Sequence, residues 1–171
     1  TGESQRQNQA DQYINFIQDA KTTGGVIDLP QGTPFVYGGD LNLVGYAQQL
    51  TTLITGDIQN TTTYGSGGSP DWDNTEVTDL VSLQTDNRMA FTWKSETSRY
   101  PAGKLDFMLY SDAVTTAQKS FVLRTEAMPA ARLQQYGLAQ DDTESASDHY
   151  PVIADFSIAT TLSVPKATLE S

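Results

Sequence analysis

Three short segments of the chain carry side chains that could do acid–base or phosphate chemistry. They read Gly-Gly-Asp-Leu-Asn at 38–42, Lys-Leu-Asp-Phe at 104–107 and Ser-Asp-His-Tyr-Pro-Val at 147–152. Each places carboxylate or amide groups at the end of an apolar run that is typical of a strand. The third contains His149, the only histidine of the chain. A carboxylate such as Asp106 beside that imidazole would hold it in one tautomer and raise its pKa.

The spacing within the first and third segments decides which groups could act together. Asp40 and Asn42 are two residues apart, so on one continuing strand their side chains would lie on the same face. The carboxylate could polarise a water molecule, and the amide could donate to a phosphate oxygen while accepting from that water. Asp148 and His149 are consecutive, so both reach one pocket only if a turn precedes Pro151. A charged imidazole beside a phosphate would offset the charge that builds at phosphorus.

Composition limits the class of protein. The chain has 171 residues, enough for one domain with a core, and a net charge of −11 from 21 acidic and 10 basic residues. That charge disfavours non-specific binding to duplex nucleic acid without divalent cations, and acidic clusters suit hard cations such as Mg²⁺ or Ca²⁺. The absence of cysteine excludes disulfides and thiolate sites. No apolar run approaches the roughly 20 residues of a membrane span, so we expect no transmembrane segment. The low Lys and Arg content is typical of exported proteins, and we expect a secreted or cell-surface bacterial protein.

The pattern of apolar residues predicts a mixed α/β layer around these segments. Helices are predicted at 4–21, 45–55 and 128–136. Strands are predicted at 34–39, 90–94, 104–111, 120–123 and 152–158. A loop is predicted at 61–74, whose Gly-Ser-rich part has no apolar face. Residues 159–171 have the composition of a linker-like tail, and residues 1–158 are expected to form one domain.

Taken together, the three segments resemble, in order and spacing, the C-terminal motifs of the endonuclease/exonuclease/phosphatase superfamily. That superfamily includes DNase I-like nucleases, abasic-site endonucleases, inositol polyphosphate 5-phosphatases and neutral sphingomyelinases. The resemblance runs from about residue 5 to about residue 156. It implies an α/β (α+β) fold, the DNase I-like four-layer αββα sandwich, of which this chain would supply roughly one sheet with its flanking helices. Residues 1–158 would then be the C-terminal part of such a domain.

The resemblance also implies a role for individual residues. Asp40 would orient or deprotonate the attacking water, and Asn42 would bind both the phosphate and that water. Asp106 would pair with His149, which would contact the phosphate. Asp148, with Asp40 and Asn42, would help to bind Mg²⁺ or Mn²⁺, with Ca²⁺ as a further candidate. The residues expected to bind substrate are Asn42, Trp93, Arg99 and Lys104.

One departure from the family pattern concerns its first half. That half supplies an early asparagine, a glutamate that is a principal metal ligand and another histidine. Glu3 stands just ahead of the first predicted helix and is not a convincing substitute for the glutamate. We therefore expect the N-terminal half of the same domain, or a second chain, to complete the sandwich, because half of it would expose a broad apolar face. Alone, this chain should bind metal poorly and turn over slowly.

The expected function is that of a metal-dependent phosphoesterase that hydrolyses phosphodiester or phosphomonoester bonds by water attack, as a nuclease or phosphodiesterase. Nucleic acid, a small phosphodiester and a phospholipid head group all remain open as substrates. A catalytically inactive binding or surface module with the same fold is the alternative. Each motif by itself is more often structural, and the joint occurrence of Asp40, Asn42, Asp148 and His149 favours the enzyme.

Overall fold

A computed structural model of the chain describes residues 2–45 and 47–158, which form a mixed α+β fold with two small antiparallel sheets. The helices are α1 (Gly2–Lys21), α2 (Gln48–Thr55), α3 (Thr61–Tyr64), α4 (Ala130–Tyr136) and α5 (Asp142–Ala146). The strands are β1 (Val36–Asp40), β2 (Thr78–Asp79), β3 (Asp106–Tyr110), β4 (Thr115–Val122) and β5 (Val152–Ile158). A 3₁₀ turn occupies Thr125–Ala127.

Strand β3 is the centre of the larger sheet. It pairs antiparallel with β1 on one side and β2 on the other, and the register sets Val36 opposite Tyr110. Both edges of β3 are taken, and β4 and β5 pair with each other in a second sheet, with one further bridge from Val122 of β4 to Gln84. The sheet that the sequence predicted as one unit is therefore divided into two. Between them, the rings of Tyr110 and Phe156 lie with their centroids 5.1 Å apart.

Helices α1 and α2 cover one face of the three-stranded sheet formed by β1, β3 and β2. The buried positions of α1 recur at helical spacing and include Ala10, Ile14, Ile17 and Ala20. Tyr37 of β1 lies opposite the fully buried Leu109, so both side chains are on the face that the helices cover. The Tyr37 ring lies 4.7 Å from that of Tyr13, and its hydroxyl donates to the carbonyl of Leu53 in α2. This packing fixes β1, whose last residue is Asp40.

The glycine-rich loop after α3 is held by polar side chains of α1. Gln18 donates to the carbonyl of Gly68 at 2.7 Å, and the Lys21 ammonium donates to the carbonyls of Pro70 and Asp71 at 2.9 and 2.5 Å. Such bonds give the loop a fixed path although its sequence offers no apolar face.

Several predicted elements match the structure and others do not. The helices predicted at 4–21, 45–55 and 128–136 correspond to α1, α2 and α4, and the strands at 34–39, 104–111 and 152–158 to β1, β3 and β5. The strand predicted at 90–94 is wrong: within the described residues Trp93 forms only isolated bridges, to Gly103 and to His149. The strand predicted at 120–123 is part of the longer β4, which pairs with β5 along its length. Helices α3 and α5 were not predicted; α3 begins where the Asn60 side chain accepts from the Thr63 amide at 3.3 Å.

Two further predictions concern the ends and the surface. The linker-like tail at 159–171 lies outside the described residues. Within residues 2–45 and 47–158, none of the helices has both the length and the apolar character that crossing a bilayer requires.

The close approach of β1 to β3 leads to a first prediction. A Cβ atom on Gly38 would lie 2.0 Å from the carbonyl oxygen of Phe107, a backbone atom that cannot move away without breaking the pairing. We expect Gly38→Ala to lower the free energy of unfolding by roughly 1–3 kcal/mol, as overpacking does, measured by urea unfolding. Gly103→Ala is the control, because a Cβ there meets no atom within 4 Å. Equal stability of the two variants would contradict this pairing.

Candidate active site

Two carboxylates face each other where β1 ends and β3 begins. Asp40 is the last residue of β1, Asp106 is the first residue of β3, and the register makes them cross-strand partners on one face. Their side chains are 45% and 21% exposed. Like charges at directly opposed positions destabilise a sheet. The arrangement therefore calls for a cation between the two acids.

The imidazole of His149 lies beside both acids and supplies a positive charge there when it is protonated. Its Nδ1 lies 2.8 Å from Oδ2 of Asp106, and its Nε2 lies 4.0 Å from Oδ2 of Asp40. Burial by itself would lower the pKa of His149, but the hydrogen bond to Asp106 and the charges of Asp106, Asp40 and Asp148 together raise it above its ordinary value. An ionised carboxylate only accepts hydrogen bonds, so Nδ1 carries a hydrogen and Nε2 faces Asp40.

The backbone around residues 92–94 brings His149 to this position. The amide of Tyr150 donates to the carbonyl of Thr92 at 2.7 Å, and the amide of Lys94 donates to the carbonyl of Asp148 at 3.1 Å. The amide of Trp93, in turn, donates to the carbonyl of Gly103 at 3.0 Å. The segment predicted as a strand thus forms one bridge to Gly103, the residue before the second motif, and one bridge to His149 of the third motif.

The consecutive residues Asp148 and His149 have different partners. Oδ2 of Asp148 accepts a hydrogen bond from the indole Nε1 of Trp93 at 2.8 Å, whereas His149 bonds Asp106. A turn does precede Pro151, and in it the Ser147 hydroxyl accepts from the His149 amide at 3.0 Å.

Thr92 belongs to the site, and the sequence did not single it out. It is 1% exposed, and its Oγ1 lies 2.7 Å from Oδ2 of Asp106. The amides of Leu105 and Asp106 donate to the same oxygen at 3.0 and 2.9 Å. A threonine within an apolar run gives no sequence signal of such contacts, since β-branched residues are common in strands.

Asn42 reaches the site by a turn. We expected a continuing strand through Asp40 and Asn42, and this is wrong: β1 ends at Asp40, and Asn42 has a left-handed backbone with φ of 47°. The backbone amide of Asn42 donates to Oδ1 of Asp40 at 2.8 Å. This bond closes a turn, and asparagine tolerates the left-handed backbone that the turn requires. Both residues line one cleft with His149.

That cleft has a volume of about 440 Å³ and is lined by three of the four residues that the sequence predicted to bind substrate, namely Asn42, Trp93 and Lys104. Tyr100 adds a half-exposed ring. The ammonium of Lys104 lies 2.6 Å from both carboxylate oxygens of Asp79, so its charge is paired. Arg99 is not among the lining residues; its guanidinium lies over the Tyr100 ring at 5.3 Å.

The donor atoms of the site fit a divalent cation in part. Within the described residues, Asp40, Asp106 and His149 have ligand atoms within 4.8 Å of one another. Oδ2 of Asp106 already accepts two hydrogen bonds, so the three residues form a hydrogen-bonded ion pair rather than a cage for a metal. Mg²⁺ is commonly held by one or two carboxylates with water and substrate oxygens. The exposed Asp40 carboxylate beside Asn42 suits that open mode, while Asp148 lies outside the group of three.

The chain was compared with family models, with curated proteins and with solved structures. No family model, no curated protein and no solved structure matches this chain. A functional interpretation therefore depends on the three motifs and on the geometry described above.

The single histidine allows a direct measurement of the charge arrangement. In the metal-free chain we expect the one imidazole C2–H signal to titrate with a pKa above the ordinary value of about 6.5. A raised pKa means that protonated His149 stabilises the folded chain; this contribution is complete below the unfolded pKa and is lost as the pH rises through the folded pKa. In Asp106→Asn the pKa should fall, and in Asp155→Asn, an exposed acid on β5, it should not change. A wild-type pKa at or below the ordinary value would contradict the arrangement.

Proposed function

We propose that this chain is the C-terminal portion of a metal-dependent phosphoesterase of the endonuclease/exonuclease/phosphatase superfamily, with the DNase I-like four-layer αββα sandwich completed by residues that this chain does not contain. It hydrolyses phosphodiester or phosphomonoester bonds by water attack. The observation that supports this most directly is the convergence of Asp40, Asp106 and His149, from three distant motifs, to within 4.8 Å of one another, with Asp40 and His149 lining the cleft.

The gap between Asp40 and His149 has the size that a reacting oxygen needs. The 4.0 Å between Oδ2 and Nε2 is too long for a hydrogen bond, but an oxygen atom beside both groups could bond to each. In the proposed reaction, Asp40 accepts a proton from the attacking water as the water oxygen bonds to phosphorus. The bond from phosphorus to the leaving oxygen breaks, and that oxygen takes a proton from solvent. The side-chain amide of Asn42 donates to a phosphoryl oxygen, and this bond aligns the phosphorus with that water.

His149 and Asp106 act on the charge at phosphorus. Asp106 accepts from Nδ1 and orients the ring, so that Nε2 points toward the cleft. The raised pKa of His149 favours the protonated ring, which donates from Nε2 to a phosphoryl oxygen. A preorganised donor at that position stabilises the negative charge of the transition state.

The acidity of the site supports dependence on a metal. The negative charges of Asp40, Asp106 and Asp148 all act on His149, which lines the cleft, and the charge of Lys104 is paired with Asp79. An anionic substrate approaching these acids is repelled unless a divalent cation offsets their charge. Asp40 and Asn42, with Asp148, would hold Mg²⁺ or Mn²⁺, with Ca²⁺ as a further candidate. When bound, the ion would neutralise charge on the phosphoryl oxygens.

Exposed apolar side chains support a missing partner surface. Val36 on β1 is 46% exposed and Ile158 on β5 is 60% exposed. We propose that the N-terminal half of the same domain, or a second chain, covers these exposed side chains. We further propose a secreted or cell-surface bacterial setting, where abundant divalent cations suit a chain with a net charge of −11.

The test is a parallel assay of the chain and of the native protein that contains it. Plasmid DNA, bis-p-nitrophenyl phosphate and sphingomyelin represent the three substrate classes. With Mg²⁺ we expect slow hydrolysis of one class by the chain and faster hydrolysis by the native protein. EDTA or Asp40→Asn should remove this activity, and Asp155→Asn should keep it. Binding of a substrate by the native protein with no hydrolysis would overturn the proposal in favour of an inactive binding module.

A further inference from the structure

We propose that Thr92 is a positioning residue of this site. Its hydroxyl fixes the Asp106 carboxylate and thereby holds His149 as the Nδ1–H tautomer with Nε2 toward the cleft. The catalytic consequence rests on the proposed function, whereas the effect on the imidazole does not. The inference depends on three contacts of one buried oxygen atom.

The hydrogen-bonding capacity of the Thr92 hydroxyl determines the direction of each contact. A hydroxyl has one hydrogen to donate and two lone pairs to accept with. The backbone amides of Leu105 and Asp106, at 3.0 and 2.9 Å, can only donate, so they take both lone pairs. The single hydrogen of Oγ1 therefore points to the remaining neighbour, Oδ2 of Asp106 at 2.7 Å.

This assignment gives Oδ2 of Asp106 two donors. One is the Thr92 hydroxyl and the other is Nδ1 of His149 at 2.8 Å. Two donors on one oxygen hold the carboxylate in a single rotamer, and the carboxylate in turn requires a hydrogen on Nδ1. Nε2 is then the nitrogen left for a ligand in the cleft.

Thr92 also fixes the backbone beside the histidine. Its carbonyl accepts from the amide of Tyr150 at 2.7 Å, and its own amide donates to the carbonyl of Gly103 at 3.0 Å. One residue thus contacts the segment that carries Asp106 and the segment that carries His149. The side chain is 1% exposed, so water does not compete for these bonds.

The test uses ¹⁵N spectra of the single imidazole in the EDTA-treated chain, at a pH where the ring is neutral. We expect the wild type and Thr92→Ser, which keeps a hydroxyl, to show one protonated nitrogen, Nδ1. Thr92→Val has nearly the same shape without the hydroxyl, and we expect its two nitrogens to shift toward a mixture of tautomers. Asp106→Asn gives the reference for a ring without its carboxylate. A folded valine variant whose spectrum superposes on the wild type would overturn the proposal.

A second variant covers the case in which valine prevents folding, since it leaves two buried amides without an acceptor. Thr92→Ala leaves space in which a water molecule can accept from those amides. We expect the imidazole nitrogens of a folded Thr92→Ala chain to shift toward a mixture of tautomers as well, and a spectrum that superposes on the wild type would overturn the proposal. In the wild type, the Thr92 hydroxyl proton should exchange slowly with solvent; fast exchange would also count against the proposal.

Kinetics separate this inference from the proposed function. For the substrate that the assay identifies, Thr92→Val should lower kcat by about 10- to 100-fold with little change in KM. Thr92→Ser, which retains the hydroxyl, should keep a kcat close to that of the wild type. An unchanged kcat in a folded valine variant would refute the catalytic consequence. If the native protein hydrolyses none of the three substrates, the proposed function fails, and the imidazole spectra still decide whether Thr92 orients His149.

Discussion

Replacing His149 with alanine is expected to lower kcat/KM for phosphodiester hydrolysis by about 10²- to 10⁴-fold, the range for loss of a positioned acid or base. The ring lies between Asp106 and Asp40 and is the only imidazole of the chain. Initial rates on bis-p-nitrophenyl phosphate with Mg²⁺, in the native protein, measure the effect.

Asp40→Asn is the companion variant, because it removes the proposed acceptor for the proton of the attacking water. If both residues act in one step, the double variant should be little worse than either single variant. Asp155→Asn makes the same chemical change at an exposed position on β5 and should keep full activity. Near wild-type rates in either site variant would show that the assigned roles are wrong.

Replacing Asp11 with alanine is expected to lower the free energy of unfolding by roughly 2–4 kcal/mol. Asp11 lies on α1 and is fully buried, and its two oxygens accept from the backbone amides of Gln59 and Asn60 at 3.0 and 2.8 Å. Alanine leaves both amides without an acceptor, and a buried unpaired donor is costly. For a chain of this size the melting temperature should fall by about 4–16 °C.

The control for Asp11 is Asp141→Ala. Asp141 precedes α5, is exposed and makes no side-chain capping bond, so its loss should change stability by less than about 0.5 kcal/mol. Asp11→Asn keeps one acceptor oxygen and should lie between the two. Urea unfolding followed by circular dichroism measures all three variants. An Asp11→Ala chain as stable as the Asp141→Ala chain would show that these buried bonds contribute nothing.

The sequence predicted elements whose periodicity is local. The apolar spacing of α1 needs no distant partner to be recognised, and the apolar runs of β1, β3 and β5 are bounded by Gly, Pro or polar residues. The contact between Asp106 and His149 was also expected, because the resemblance of the three motifs to the superfamily implies that pair. The membership of the superfamily stays a prediction, since no comparison tests it.

Other features depend on long-range contacts that local patterns do not encode. Thr92 contacts Asp106 from 14 positions away, and Lys104 pairs with Asp79 from 25 positions away. Neither residue type in its local context indicates such a partner. Asn42 was placed on a strand because periodicity was extended past Asp40, whereas the turn bond to Asp40 ended the strand there. The strand predicted around Trp93 is replaced by isolated bridges to Gly103 and His149. Which segments would lie beside Trp93 depends on the tertiary fold, and the local sequence does not indicate it.

The opposition of Asp40 and Asp106 has a consequence for any attempt to stabilise this fold. Two acids in register on neighbouring strands are a local conflict that a sequence chosen only for folding would avoid. Asp40 is the more exposed of the two and makes no hydrogen bond to His149, so Asp40→Asn should relieve the conflict and raise the melting point of the chain, while it removes the proposed acceptor for the proton of the attacking water. Thermostability and turnover would then change in opposite directions at this position.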